Sequence, residues 1–492
     1  MITFTLEKNK KYAIVQGDLF EDIREHFSVK NEAAKFTKRF NRFIPDRQYV
    51  ITPTGRFDPG LFQEIKRYIA SKNYAGVINV DDLIFQHAVK PSPLSWMQHP
   101  NYTNIGCPLQ LELRDYQKDI VTTCLEHGRG TIVLATAGGK TLTMASLIGR
   151  VNTFYSKFKC LLIVPDRGLV QQTFDDFTAY KVPFTFSKWT GDDALDLSSD
   201  VIISNLGILQ SENSDLNWIE FIDLLIIDEC HKLRKTNNFN DIIKKIQTPN
   251  RFGFTGTLPD NMLDQWNIIG KIGPVLYEKD SHQLRLEKYI SPVTAQVIDL
   301  EYINPHISYE EDSISSHYRA EMDFIINSNF RNQLIAKLAS GVSNNCLVLV
   351  DFIEHGEALE RVCKTKCINK QVFFIRGSVE IEEREKIKAL MERDSNLVVV
   401  AISKIFSTGI NIKNLHYILL AGGGKAKIKT IQTIGRGLRL HSTKTKLTLI
   451  DLADQLKYGQ LHALKRQEIY KNENIPQTNH KIKEAGFEGP SR

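Results

Sequence analysis

The fold of this chain is decided by the stretch Ala135-Thr136-Ala137-Gly138-Gly139-Lys140-Thr141, which lies between an apolar run at 131–134 and a helical pattern at 142–148. A strand, a loop of small residues and a helix N-terminus together direct backbone N–H groups toward a phosphate. We expect Thr136, Ala137, Gly138 and Gly139 to surround the phosphates, Lys140 to reach the β/γ-phosphates and Thr141 to ligate Mg²⁺. Leu134 stands where G-x-x-x-x-G-K-[ST] has its first glycine, so a plain glycine-containing turn remains the alternative.

A second polar segment, Asp228-Glu229-Cys230-His231, directly follows the apolar run at 224–227. Acidic residues at the carboxyl end of a parallel strand, beside a phosphate loop, are placed to hold a metal ion and a water molecule. We expect Asp228 to anchor the Mg²⁺ shell and Glu229 to orient or deprotonate the attacking water. A lone Asp-Glu pair is usually a polar strand end, but its place in the same predicted sheet as the loop favours nucleotide hydrolysis.

Short apolar, β-branched runs alternate with helical patterns from about residue 110 onward. A first series lies at 131–134, 161–164, 201–203 and 224–227, and a second at 346–350, 372–375, 397–400, 417–420 and 447–450. Continuous apolar runs are typical of parallel strands that are covered on both faces. Because the rhythm stops and resumes across 280–330, the sequence predicts two doubly wound α/β domains in tandem, at 109–280 and 281–455.

Three further segments complete the predicted organisation. Residues 1–90 are expected to form a small, basic α+β domain. Residues 91–108 are expected to be a linker, since prolines and polar residues break both periodicities there. Residues 456–492 are expected to be a C-terminal tail. With roughly 150 residues per domain, the 492-residue length agrees with three domains.

Composition excludes several classes of protein. The seven cysteines are unevenly spaced, which argues against a disulfide scaffold. No apolar run approaches ~18 residues, and the N-terminus lacks a basic segment followed by an apolar one. The sequence therefore predicts a cytoplasmic protein (host cytoplasm if phage-encoded) with no membrane partner.

The net charge of +6 is small, but it is unevenly distributed. Residues 30–47 hold six basic residues against two acidic ones, a net charge of +4, and residues 421–446 hold no Asp or Glu. Basic residues interleaved with aromatics can follow phosphates and stack on bases. The predicted DNA contacts are Lys38, Arg39, Arg42, Lys425, Lys427 and Lys429. The interleaved Phe36, Phe40 and Phe43 also fit a helical core stripe.

Seven segments, taken in order, resemble the motifs of the superfamily 2 helicases and translocases, which carry two RecA-like domains. The matching segments are 114–117 (the glutamine-bearing motif), 134–141 (motif I), 165–172 (motif Ia), 228–231 (motif II, in its DExH form), 254–257 (motif III), 407–411 (motif V) and 432–439 (motif VI). The resemblance covers residues 110–455 and implies ATP, with Mg²⁺, held between the two domains.

The same resemblance implies roles for individual residues. Arg114 and Gln117 would read the adenine edge, Gly409 would line the nucleotide site, and Arg167 and Gln172 would contact a nucleic-acid backbone. His231, Thr255 and Thr257 would link the ATP site to the nucleic-acid site. Motif VI would supply Gln432, Arg436 and Arg439 to ATP, and an arginine delivered across a cleft to the γ-phosphate raises the rate by ~10³–10⁵. The alternative for this arginine pair is a solvated basic helix face.

Within the family, the spacing and the small basic N-terminal domain are similar to phage recombination helicases. That likeness implies a monomeric enzyme acting on forks, Holliday junctions and R-loops in recombination, repair and replication, with branched or forked DNA or an RNA–DNA hybrid as partner. The alternatives are an RNA helicase, a duplex-DNA translocase without strand separation and, from another class, a nucleotide-binding switch.

Overall fold

The computed structural model describes residues 1–31, 34, 45–98, 111–235, 238–305, 307, 314–376, 381–403, 412–422, 435, 437–438, 440–441 and 444–484. Contacts divide the chain into two compact units: residues 1–135 with 139–279, and residues 280–492 with 136–138. Each unit contains one seven-stranded sheet. In the described part of the chain, no helix has the length and apolar character needed to cross a bilayer.

The N-terminal region is built around a four-stranded sheet with the order β5-β2-β1-β6. Strand β1 pairs antiparallel with β2 and parallel with β6, and β3 pairs antiparallel with β4. The strands are β1 (Ile2–Leu6), β2 (Ala13–Gly17), β3 (Ser28–Lys30), β4 (Arg47–Tyr49), β5 (Arg56–Phe57) and β6 (Ile78–Val80). The helices are α1 (Phe20–His26), α2 (Phe62–Ser71), α3 (Asp82–Ile84) and α4 (Pro93–Gln98).

The first large sheet is entirely parallel and has the order β13-β7-β12-β11-β8-β10-β9. Its strands are β7 (Arg129–Leu134), β8 (Cys160–Val164), β9 (Phe186–Trp189), β10 (Val201–Asn205), β11 (Leu224–Asp228), β12 (Arg251–Thr255) and β13 (Val275–Lys279). Its helices are α5 (Asp115–His127), α6 (Lys140–Asn152), α7 (Arg167–Tyr180), α8 (Leu206–Leu209), α9 (Phe239–Lys245) and α10 (Met262–Lys271).

The second large sheet is also parallel throughout, with the order β16-β17-β15-β18-β19-β14-β20. The elements in chain order are α11 (Ser281–Leu286), β14 (Val293–Glu301), α12 (Ile314–Asn327), α13 (Asn329–Gly341), β15 (Cys346–Val350), α14 (Ile353–Lys366), β16 (Gln371–Ile375), α15 (Ile381–Arg393), β17 (Leu397–Ile402), β18 (Tyr417–Leu420), β19 (Leu447–Asp454), α16 (Lys457–Asn472) and β20 (Gln477–Lys483).

The predicted fold class, two doubly wound parallel sheets in tandem after a small α+β region, is confirmed. Each of the nine apolar runs became a strand. Strands β9, β12, β13, β14 and β20 were not predicted, because they lack a continuous apolar run. Along β14, for example, buried and half-buried side chains mix.

The segment expected to be a tail contains α16, which packs against β19, and β20, which pairs with β14 in the second sheet. Arg466 of α16 is almost fully buried and forms a bidentate ion pair with Asp451 of β19, with Nη2–Oδ1 at 2.7 Å. The Tyr470 hydroxyl donates to the same carboxylate at 2.8 Å. A charged residue on the buried face of α16 conceals the apolar pattern from which the helix could have been predicted.

Helix α10 of the first large sheet shares a hydrophobic core with the N-terminal region. Leu263, Trp266 and Ile269 pack into the cluster that surrounds the four-stranded sheet. The ring centroids of Trp266 and Phe27 are 5.2 Å apart. At Gly60 a β-carbon would lie 2.2 Å from the Ile269 carbonyl oxygen, so only glycine permits this approach of the two backbones.

An ion pair buried beside this shared core joins Asp58 of the N-terminal region to Lys271 at the end of α10. Breaking a buried pair costs about 3–5 kcal/mol, because one charge is left without compensation. The N-terminal region and the first large sheet are therefore held together by both apolar packing and a buried charge pair.

We expect Asp58→Asn to lower the free energy of unfolding by about 3 kcal/mol, since the Lys271 ammonium would then face a neutral amide. Urea unfolding followed by tryptophan fluorescence measures the change. The control is Glu64→Gln, which removes a surface pair with Arg67 and should cost less than about 1 kcal/mol. If the two variants lost the same free energy of unfolding, the Asp58–Lys271 pair would contribute no more than a surface ion pair.

Candidate nucleotide site

The loop between β7 and α6 has the backbone of an anion-binding turn. Ala137 (φ 68°) and Gly139 (φ 82°) both adopt the left-handed conformation, and α6 begins at Lys140. Turns of this kind point successive N–H groups into one concavity that can hold an anion. A left-handed alanine costs roughly 1–2 kcal/mol, and such strain clusters at ligand sites.

Gln117 fastens helix α5 to this loop. Its side chain is buried, its Nε2 donates to the Gly139 carbonyl oxygen at 3.2 Å, and its Oε1 accepts from the Arg114 backbone N–H at 2.9 Å. A β-carbon at Gly139 would lie 2.5 Å from Gln117 Nε2. The structure thus brings Gln117 to the predicted phosphate loop, while Arg114 donates through Nη1 to the Tyr116 hydroxyl at 2.9 Å.

The acidic pair at the end of β11 meets the loop lysine. Glu229 Oε1 lies 3.6 Å from Lys140 Nζ, and Glu229 Oε2 lies 3.2 Å from His231 Nδ1. Glu229 itself has a left-handed backbone (φ 50°), and its N–H donates to Asp228 Oδ1 at 2.9 Å. The predicted base and the predicted phosphate-binding lysine therefore occupy one cluster, and both side chains are largely shielded from water.

The electrostatics of this cluster fit a divalent cation. Burial, followed by the neighbouring Glu229 charge, raises the pKa of Asp228 to about 7, against the opposing effect of Lys140. Burial and the repulsion between two neighbouring carboxylates both disfavour the charged form of Asp228, and a bound divalent cation would offset both effects. Carboxylate and hydroxyl oxygens are the ligands that Mg²⁺ prefers, and Thr141 supplies a hydroxyl at the second position of α6. Asp228 and Thr141 could hold this ion.

His231, Thr255 and Thr257 form a hydrogen-bonded chain beside Glu229, whose carboxylate lies within ion-pair distance of His231. His231 Nδ1 lies 2.9 Å from Thr255 Oγ1, and Thr255 Oγ1 donates to the Thr257 carbonyl oxygen at 2.8 Å. Because the Thr255 proton is committed to that carbonyl, Thr255 accepts from His231, and Nδ1 carries the proton. The structure connects the three residues that the resemblance named as coupling residues.

The two predicted backbone-contacting residues on α7 differ in environment. Arg167 is exposed and donates through Nη1 to Asp192 Oδ2 at 3.0 Å. Within the described part of the chain, the buried Oε1 of Gln172 has no hydrogen-bond partner. Asp192 and Gly191 were not identified from the sequence as neighbours of Arg167. A β-carbon at Gly191 would lie 2.4 Å from Arg167 Nη2. The turn-forming segment 190–193 was the available signal.

The remaining predicted site residues lie outside the described residues. They are Gly409, Gln432, Arg436 and Arg439 for the nucleotide, and Lys38, Arg39, Arg42, Lys425, Lys427 and Lys429 for nucleic acid.

Two family models match the chain. Residues 110–260 match "Type III restriction enzyme, res subunit", and residues 329–441 match "Helicase conserved C-terminal domain". The first of these ranges contains the loop, the acidic pair and the hydrogen-bonded chain described above, and the second lies within the second large sheet's unit.

Two relatives extend these matches. The chain is 28% identical over 446 residues to the ATP-dependent DNA helicase uvsW of Enterobacteria phage T4, covering 88% of this chain and 87% of the relative. It is 25% identical over 379 residues to the putative ATP-dependent helicase IRC3 of Saccharomyces cerevisiae, covering 71% of this chain and 53% of the relative.

Solved structures agree on the fold. A fragment of a putative HsdR subunit of a type I restriction enzyme from Vibrio vulnificus covers 89% of this chain and 85% of its own, with a TM-score of 0.55 and 15% identity. Dbp5 of S. cerevisiae, bound to RNA, covers 76% of this chain and 95% of its own, with a TM-score of 0.53 and 15% identity. With these matches, the chain belongs to the superfamily 2 helicases and is an ATP-dependent helicase similar to uvsW.

Proposed function

We propose that this helicase acts on branched DNA, regressing forks, migrating Holliday junctions and unwinding R-loops. The observation that carries the proposal is the core shared by the N-terminal region and α10. The uvsW relative, itself named an ATP-dependent DNA helicase, supports DNA as the substrate.

The shared core supplies a physical reason for a branched substrate. Helix α10 begins a few residues after Thr255 and Thr257, so the N-terminal region is attached close to the coupling segment. A DNA arm held by the N-terminal region would stay fixed relative to the first motor domain. Translocation along a second arm would then move the branch point rather than only the protein.

The chemistry assigned to the site is ATP hydrolysis. Lys140 would bind the β/γ-phosphates with the loop residues 136–139, and Glu229 would orient or deprotonate the attacking water. Mg²⁺ held by Thr141 and Asp228 would neutralise phosphate charge. Arg114 and Gln117 would position the adenine of ATP. The second domain would complete the nucleotide site with Gly409, Gln432, Arg436 and Arg439.

The nucleic-acid path is assigned to two sets of residues. Arg167 and Gln172 would contact the backbone on the first motor domain, together with Lys425, Lys427 and Lys429 of the second. The hydrogen-bonded residues His231, Thr255 and Thr257 would report the state of the nucleotide to that path, since His231 Nδ1 lies 3.2 Å from the carboxylate of the predicted base, Glu229.

The proposal is tested by measuring ATPase stimulation and strand exchange on single-stranded, duplex, forked and four-way DNA, with RNA alongside. We expect forked and four-way DNA to stimulate ATP hydrolysis most. We also expect strand exchange to separate four-way junctions into duplexes. Greatest stimulation by RNA would favour an RNA helicase, and stimulation by duplex without strand exchange would favour a translocase. ATP turnover that no nucleic acid stimulates would favour a nucleotide-binding switch.

We expect Glu229→Gln to lower kcat for ATP by at least about 10²-fold while ATP binding persists, because the amide keeps a contact with Lys140 but cannot accept a proton. Steady-state turnover and nucleotide titration measure the two effects. Glu278→Gln, at an exposed position on β13, is the control and should leave both unchanged. Normal turnover in Glu229→Gln would remove its assignment as the base.

We expect the triple variant Lys38→Gln/Arg39→Gln/Arg42→Gln to weaken four-way-junction binding more than single-strand binding, since the N-terminal region is assigned to a branch arm. Binding titrations at several salt concentrations should also show a shallower slope, by up to ~0.9 per lost phosphate contact on duplex DNA. Full-length variants are needed, because deleting residues 1–90 would expose Trp266 and its neighbours on α10. Equal losses on both DNAs would reduce this region to a general electrostatic anchor.

A further inference from the structure

A small cavity of about 30 Å³ lies where the N-terminal region meets the first large sheet. We call it the cationic cavity; the lining residues that matter here are Lys10, Lys11, Asp58, Arg129, Arg251 and Lys271. Lys10 and Lys11 are exposed at its mouth, whereas Arg129, Arg251 and Lys271 are buried.

Two arginines stand side by side in this cavity. Arg129 and Arg251 are the first residues of β7 and β12, and they are register partners on neighbouring parallel strands. Neighbouring strands lie about 4.8 Å apart. Arg129 is 2% exposed and Arg251 is 9% exposed, so water screens their repulsion poorly.

Neither guanidinium is neutralised by a carboxylate within ion-pair distance in the described part of the chain. Each donates three hydrogen bonds to backbone carbonyl oxygens, at 2.6–3.2 Å for Arg129 and 2.7–3.1 Å for Arg251. Both donate to the same Lys271 carbonyl oxygen. Because a guanidinium has five N–H donors, each arginine retains two further donors.

The charges of the cationic cavity do not balance. Among its described lining residues Asp58 is the only acidic one, and Asp58 already pairs with Lys271. Burial, followed by the charge of Arg251, lowers the pKa of Arg129, and burial lowers the pKa of Arg251 to about 10. Burial lowers the pKa of His87, which also lines the cavity, to about 3, so His87 is neutral at pH 7 and adds no charge.

The cationic cavity lies away from the nucleotide loop. Arg129 begins β7 at the amino edge of the sheet, whereas the loop follows the carboxyl end of the same strand. Six residues at about 3.3 Å each separate the two edges by roughly 20 Å. An anion in this cavity would therefore be distinct from the phosphates of ATP.

We propose that the cationic cavity binds a single phosphate group, either as inorganic phosphate or within a nucleic-acid backbone. Guanidinium N–H groups donate strong, charge-assisted hydrogen bonds to phosphate oxygens, and the lysines at the mouth add charge. The cavity volume is far too small for a whole nucleotide. The inference is independent of the branched-DNA proposal, because it requires only an oxyanion.

The experiment measures the rise in Tm produced by inorganic phosphate, with chloride at equal ionic strength as the reference. All proteins carry Lys140→Ala, which weakens phosphate binding at the nucleotide loop. We expect phosphate at ten times its Kd to raise Tm by on the order of 2 °C. Adding Lys10→Gln/Lys11→Gln, two exposed changes that spare the buried arginines, should abolish at least half of that rise.

The matched control adds Lys8→Gln/Lys66→Gln, which removes two exposed lysines of the same region that do not line the cavity. It should keep the full phosphate effect. No phosphate-specific rise in the Lys140→Ala protein, or equal losses in the two double variants, would overturn the proposal. Single-stranded DNA added in excess identifies the source: cancellation of the phosphate effect indicates a backbone phosphate, and an undiminished effect indicates free phosphate.

Discussion

Parallel pairing of β7, β12, β11 and β8 is the constraint on which the rest of this motor depends. These strands are neighbours in that order, and a polar segment follows each of them at the same carboxyl edge. The predicted phosphate loop follows β7, the Thr255–Thr257 segment follows β12, the acidic pair follows β11, and Arg167 begins the helix after β8. The contact between Lys140 and Glu229 exists because the sheet brings together segments that are distant in the chain.

The opposite, amino edge of the same sheet serves a different purpose. There Arg129 and Arg251 donate to carbonyl groups at the end of α10, and Lys271 reaches across to Asp58. Buried charges at this edge and apolar residues on α10 bind the N-terminal region to the motor domain. Helix α10 therefore connects the segment after β12 to the N-terminal region. In the first large sheet, the carboxyl edge carries the candidate nucleotide site and the amino edge holds the N-terminal region.

The strands with continuous apolar runs could be predicted from the sequence, because a parallel strand that is buried on both faces is apolar at every position. The phosphate loop and acidic pair could be predicted because each follows such a run. Strands β14 and β20 could not, since their side chains are partly exposed. Attachment of the N-terminal region was also hidden: Leu263, Trp266 and Ile269 fit an ordinary core-facing helix, and no sequence pattern shows which core they enter. The assignments of Lys140, Glu229 and the motif VI arginines to steps of catalysis stay predictions.

The last strand of the second sheet has a consequence for solubility. Without β20, the nine-residue β14 would present a row of unpaired backbone groups at the sheet edge, and such edges recruit strands from other molecules. Strand β20 covers that row, and its own side chains are almost all exposed and polar. Lys481 and Lys483, both paired with Glu301, place charge along the new edge, where a second copy of the sheet would have to approach. The C-terminal strand thus protects the second sheet from edge-to-edge aggregation.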